Sequence, residues 1–211
     1  MPRRIERAPN RLLSFIALFI AMGLFSVGCR SAEQSRLQNR EGSAEATNAS
    51  SSRPSTLPAG LLVGKTVDEL ESTVFAPEGW TLELHKERDN SEHRTWVSPT
   101  GKTAFGVIFF KLPLPVGAEL AFKYGFLPAM RQAEGEAKVI EQSWNRATRS
   151  LDFVVEGGKY TLRAAMFVRG LRGWTYYAGT LRGQDEDQIE LKLAEDARDW
   201  TKQERAPRMK K

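Results

Sequence analysis

The chain is nearly without cysteine: Cys29 is the single one in 211 residues. Residues 30–211 therefore form no intrachain disulfide, and any folded part is held by its core alone. Histidine is almost as scarce, with only His85 and His93, and no serine sits in a Gly-x-Ser-x-Gly turn. A base to activate a distant serine nucleophile is thus hard to place. Charge of one sign is also missing. Residues 1–28 hold four arginines and one glutamate, which leaves only +2 of the chain's +5 for the remainder. That balance gives no electrostatic footprint for nucleic acid. The apolar run Leu12–Val27 has 16 residues, against about 20 needed to span hydrocarbon.

What is present in front of that run is Arg3, Arg4, Arg7 and Arg11, opposed only by Glu6. A basic segment, an apolar segment and small residues before a cut describe a bacterial export signal. Because Val27-Gly28 is followed by Cys29, the pattern resembles a lipoprotein signal. Gly28 then flanks the cleavage point, and Cys29 is acylated to become the N-terminus. Ser26 departs from the Leu usual at the first position of that box. A retained membrane helix and an ordinary cleaved signal are the competing readings. Acylation at two or more chains anchors stably, at about 0.8 kcal/mol per buried CH₂. Residue 30 is Arg rather than Asp, which in this pattern leans toward the periplasmic face of the outer membrane.

Residues 30–59 contain just two large apolar residues, Leu37 and Leu57, and bury too little to offset the entropy of ordering. They read, with Cys29, as a lipidated disordered tether, and thirty such residues have a root-mean-square span of about 30 Å. From residue 60 to about 205 the composition is that of one globular domain, followed by a basic tail at 206–211. The pass along it predicts strands at 80–86, 94–98 and 103–112, with turns at Pro77-Glu78-Gly79 and Pro99-Thr100-Gly101-Lys102. Thr66 is a candidate cap for a short helix in the ambiguous stretch 61–74, and residues 87–92 read as a polar loop. The third strand is apolar on both faces, so it is expected to be central. A helix over 117–134 would bury Leu120, Tyr124, Leu127 and Met130, with Pro128 kinking or ending it early. Four further strands (137–144, 151–156, 160–168, 174–181) and a helix over 185–202 with a buried stripe of Ile189, Leu193, Ala197 and Trp200 complete the chain. The fold class expected is α+β, an antiparallel β-sheet covered by helices in an α/β/α layering.

Pro77-Glu78-Gly79-Trp80 before the first long strand, Ser98-Pro99-Thr100-Gly101 before the apolar strand, and Gly173-Trp174-Thr175-Tyr176-Tyr177 near the end give the chain its resemblance to the Mog/PsbP-like fold family. It covers about residues 72–203 and rests on element order and short turn motifs. The family includes an extrinsic photosystem II subunit, a Ran-binding import factor and many envelope lipoproteins. The resemblance implies a binding or assembly module with no catalytic residues to carry over, and a fold does not transmit a particular role.

Two clusters compete for chemistry. His85 and His93, with Glu87, Asp89 and Glu92 between them, offer ligands for zinc or copper. The register decides whether they meet: a three-residue loop would set them opposite each other, and a two-residue loop would set His93 opposite Lys86. Lys86, Arg88 and Arg94 oppose a cation there. The second cluster is Arg169, Arg172, Trp174 and Tyr176, a candidate partner surface of residue types enriched in binding hot spots; core filling is the stronger reading for the two rings, since a sheet covered on both faces needs aromatic filling. The expected function is a membrane-anchored, non-enzymatic envelope module that binds a protein or small ligand, without cofactor or nucleic acid. A metal-binding lipoprotein using the His85–His93 hairpin is the runner-up, and a hydrolase a third reading.

Overall fold

The computed structural model describes residues 56–88, 91–183 and 188–205. Cys29, Gly28 and the tail 206–211 lie outside the described residues, as do Asp185, Glu186 and Asp187 of the expected last helix. Two short strands, β1 (Lys65–Val67) and β2 (Ser72–Val74), pair around a single 3₁₀ turn at Asp68–Leu70. Seven strands then build one antiparallel sheet: β3 (Thr81–Arg88), β4 (Ser91–Val97), β5 (Thr103–Lys111), β6 (Ala137–Asn145), β7 (Ser150–Gly157), β8 (Tyr160–Arg169) and β9 (Arg172–Leu181). Their spatial order is β3-β4-β5-β9-β8-β7-β6. Two meanders thus meet along β5 and β9. Between them the chain crosses through α1 (Ala118–Ala121), a π-helical turn (Phe122–Phe126) and α2 (Leu127–Glu134); α3 (Gln188–Arg205) closes it. The fold is a sheet-dominated α+β fold.

Alternation along the strands sends side chains to two separate cores. One holds Ile108, Leu151, Phe153, Val155, Met166 and Tyr177 of the sheet, covered by Ala118, Ala121, Phe122, Leu127 and Met130. The other holds Phe105, Val107, Phe109, Phe167, Trp174 and Tyr176, covered by the N-terminal segment from Leu61 to Phe75 and by Ala194, Ala197 and Trp200 of α3. This is why β5 is apolar on both sides: Thr103 to Phe109 are all buried. The turn after β4 closes by a Gly101 N–H donated to the Ser98 carbonyl at 2.9 Å, with Gly101 at φ 72°. Only glycine takes that conformation without strain.

Four expectations need correction. Thr66 caps nothing, because β1 runs through it and Val67 precedes the 3₁₀ turn. Residues 87, 88, 91 and 92 are paired strand, not loop. Leu120 and Tyr124 are exposed rather than core. The π-helical turn inserts one residue into the helical repeat, so burial passes from Phe122 to Leu127, five positions on. Pro128, with no N–H to give, follows directly on that turn, and the helix continues to Glu134. Finally, Ile189 is exposed, and α3 buries Glu190, Leu191, Ala194 and Thr201 beside the expected Ala197 and Trp200.

Candidate functional site

The four residues of the candidate partner surface separate, the two rings into the core and the two arginines to the surface. Trp174 and Tyr176 are buried, 2% and 0% exposed. Each is occupied by the chain's own N-terminal segment: the Trp174 indole N–H donates to the Leu70 carbonyl at 2.9 Å, and the Tyr176 hydroxyl lies 3.0 Å from Ser72 Oγ. Buried rings of this kind carry a polar tip that must be satisfied, and here the 3₁₀ turn and β2 satisfy it. Arg169 and Arg172 face each other across the β8–β9 tip and are exposed. Arg172 Nη1 reaches Glu71 Oε2 at 2.8 Å. The hairpin tip is held in place by the Leu112 N–H, which donates to the Leu171 carbonyl at 2.7 Å. So two rings are structural, and two guanidinium groups remain at the surface.

The register of the β3–β4 hairpin puts Lys86 opposite His93 and Arg94 opposite His85. Strand positions alternate between faces, and this register sets His85 and His93 at positions of opposite parity rather than opposite each other. His93 is fully buried. Its Nε2 lies 2.9 Å from the Tyr177 hydroxyl and 3.0 Å from Thr95 Oγ1, and those two hydroxyl oxygens are 2.8 Å apart. The Tyr177 ring reaches this position by crossing Gly106, where a Cβ would come within 2.1 Å of Cζ. Burial raises the Tyr177 phenol well above its ordinary value of 10.0. Glu92 is buried too, paired at 3.2 Å with Arg94 Nε, while Arg94 Nη2 reaches Glu69 at 3.2 Å. The charges around the hairpin therefore stitch β4 to the 3₁₀ turn. Among the described residues no three His, Cys, Asp or Glu side chains gather as a metal ion would require.

A polar cluster that the sequence reading missed surrounds Asp152 on β7. Its Oδ1 accepts from Ser150 Oγ at 2.7 Å, and its Oδ2 accepts from Lys202 Nζ at 2.5 Å and Asn145 Nδ2 at 3.2 Å. Thr148 Oγ1 lies 2.8 Å from Ser150 Oγ. With each carboxylate oxygen already taken, the group clamps α3 to the β6–β7 hairpin. A second clamp is Glu134, which accepts from the Lys159 backbone N–H at 3.2 Å and the Tyr160 hydroxyl at 2.9 Å. Burial foremost, and then the Glu134 carboxylate, raise the Tyr160 phenol. No sequence motif announces either clamp, because the partners are up to 50 residues apart. Among the described residues no helix is long and apolar enough to cross a membrane.

No family model matches the chain, and no curated protein matches it. A solved structure from Bacteroides thetaiotaomicron VPI-5482 is similar over 56% of this chain and 41% of its own length, at 12% identity and a TM-score of 0.28. The chain thus spans less than half the length of that protein.

Proposed function

We propose that the protein is a bacterial envelope lipoprotein, anchored through acylated Cys29 on the periplasmic face of the outer membrane. Its domain is an α/β/α-layered module of the Mog/PsbP-like type that binds an envelope protein or a small ligand and does no chemistry of its own. The observation that carries the reading is Cys29 itself, the lone cysteine, set directly behind Gly28 at the end of an apolar run that follows four arginines. The geometry supports a binding role at the β8–β9 tip, where Arg169 and Arg172 stand exposed. The register of the β3–β4 hairpin favours no metal role for His85 and His93.

Mass spectrometry of the N-terminal peptide from native protein tests the anchor. A peptide beginning at an acyl-modified Cys29 is expected, and one beginning at Met1, or carrying a free thiol, overturns the reading. For the binding role, Arg172→Ala combined with Arg169→Ala should abolish recovery of a crosslinked envelope partner. Folding should be untouched, since exposed ion pairs such as Arg172–Glu71 contribute only about 0–1 kcal/mol. Unchanged recovery would clear the tip.

A further inference from the structure

The two most exposed large apolar side chains among the described residues are Val63, at 84%, and Ile189, at 81%; Leu62 is half-exposed beside Val63. Leu62 and Val63 follow directly on hydrogen-bonded, packed backbone. The Leu62 N–H donates to the Ala76 carbonyl at 2.9 Å, the Glu78 N–H donates to the Gly60 carbonyl at 2.7 Å, and Leu61 between them is buried. The same segment rests on α3: a Cβ built on Gly60 would approach Leu193 Cδ1 to 3.2 Å. Ile189 lies one turn before Leu193, on the same side of that helix. Rigid backbone thus presents apolar side chains outward on both sides of one junction. That junction is also where the chain from Cys29 joins the domain, at Thr56.

We infer that this junction docks on the bilayer holding the anchor, with Leu62, Val63 and Ile189 entering the boundary between headgroups and acyl chains. The inference rests on the lipoprotein reading above. Twenty-six residues lie between Cys29 and Thr56, a length that would span about 28 Å as the tether their composition predicts. The junction is therefore the part of the domain held nearest the membrane. Tethering raises its effective concentration there to the millimolar range, so shallow insertion of a few side chains is enough. Asp185-Glu186-Asp187 immediately precede α3, which directs the junction to zwitterionic rather than anionic lipid.

The test uses full-length, natively processed protein in phosphatidylethanolamine–phosphatidylcholine vesicles that carry doxyl-labelled lipid. Because Cys29 is consumed by acylation, Val63→Cys, Ile189→Cys and Tyr124→Cys each introduce one thiol for an environment-sensitive dye. Tyr124 is exposed on the helical segment covering the opposite face of the sheet. Dyes at 63 and 189 should be quenched at least twofold more than the dye at 124, and added anionic lipid should not increase the difference. Equal quenching in protein that floats with the vesicles overturns the docking and leaves the anchor standing. A blue shift at 63 and 189 without lipid quenching also overturns it, by assigning the face to another copy of the chain. Protein that fails to float overturns both readings.

Discussion

At the scale of single residues, the tightest constraint is the absence of a side chain at position 106. A methyl there would sit 2.1 Å from Tyr177 Cζ and 2.2 Å from its hydroxyl oxygen, and that ring is buried and cannot swing aside. Gly106→Ala is expected to cost about 3 kcal/mol or more in urea unfolding, at the upper end of overpacking effects. Tyr177→Phe asks a different question. It removes one partner each from buried His93 and Thr95, a loss of about 1–3 kcal/mol near neutral pH. The phenol also sets a pH dependence. In the unfolded chain it ionises near 10, whereas burial keeps it protonated in the folded state at higher pH. The unfolded state then binds fewer protons, so stability is full below pH 10 and declines above it. Each such tyrosine contributes about 1.4 kcal/mol per pH unit. Between pH 10 and 11 the Tyr177→Phe variant should lose about 1 kcal/mol less than the parent, since the full slope is reached only above the unfolded phenol's own titration. Equal losses would mean that the hydroxyl titrates normally.

The elements show where sequence pattern and structure part. The long strands were legible to within a few residues, since Gly, Pro and alternation mark their ends, whereas β1, β2 and the far end of the β3–β4 hairpin were not. The positions of the helices were legible too, and so was the later half of each buried face (Leu127 and Met130, Ala197 and Trp200), but the first half was not. In the crossing helix the straight 3.6-residue repeat selects Leu120 and Tyr124, and the π-helical turn ahead of Pro128 shifts the phase so that both face outward. In α3 only the start of the stripe departs, where a buried Glu190 replaces Ile189, while Ala197 and Trp200 are buried as expected. The Glu190 carboxylate accepts from the Thr100 hydroxyl at 2.5 Å and from the Thr100 N–H at 3.3 Å. A charged residue at a buried position is invisible to a hydrophobicity pattern until its distant partner is known. The comparison of Ile189→Lys with Leu191→Lys tests this phase directly. Leu191 is 6% exposed, and its replacement should cost about 3 kcal/mol or more, an unpaired charge being forced inside. Ile189→Lys should lie within about 0.5 kcal/mol of the parent. Glu190→Ala, which strips the Thr100 turn of its acceptor, should cost about 1–3 kcal/mol.

For the whole molecule, the decisive fact is that one sheet serves two cores and that the second is completed by the segment preceding β3. The candidate site was only partly legible in the sequence for this reason: core filling was the favoured reading of the two rings, but not what they pack against. Trp174 and Tyr176 have the composition of an interface, but the surface they meet is the chain's own, some 104 residues earlier. Only the arginines at the hairpin tip were rightly read as surface groups. Leu61, Val67, Leu70, Val74 and Phe75 are all buried against the sheet or α3. The Phe75 ring also packs tilted against Trp200, with centroids 5.5 Å apart, and its N–H donates to Thr201 Oγ1 at 3.2 Å. Five such side chains contribute about 10 kcal/mol of burial together, comparable to the entire stability of an ordinary domain, about 5–15 kcal/mol. A chain beginning at Thr56 should therefore unfold cooperatively with the midpoint of the full-length protein. One beginning at Pro77 should lose its cooperative transition and bind a hydrophobic dye, because Trp174, Tyr176 and Trp200 are then uncovered. Retention of a sharp transition in the shorter chain would show that the sheet and α3 close the second core by themselves, and that residues 57–75 are a removable cover.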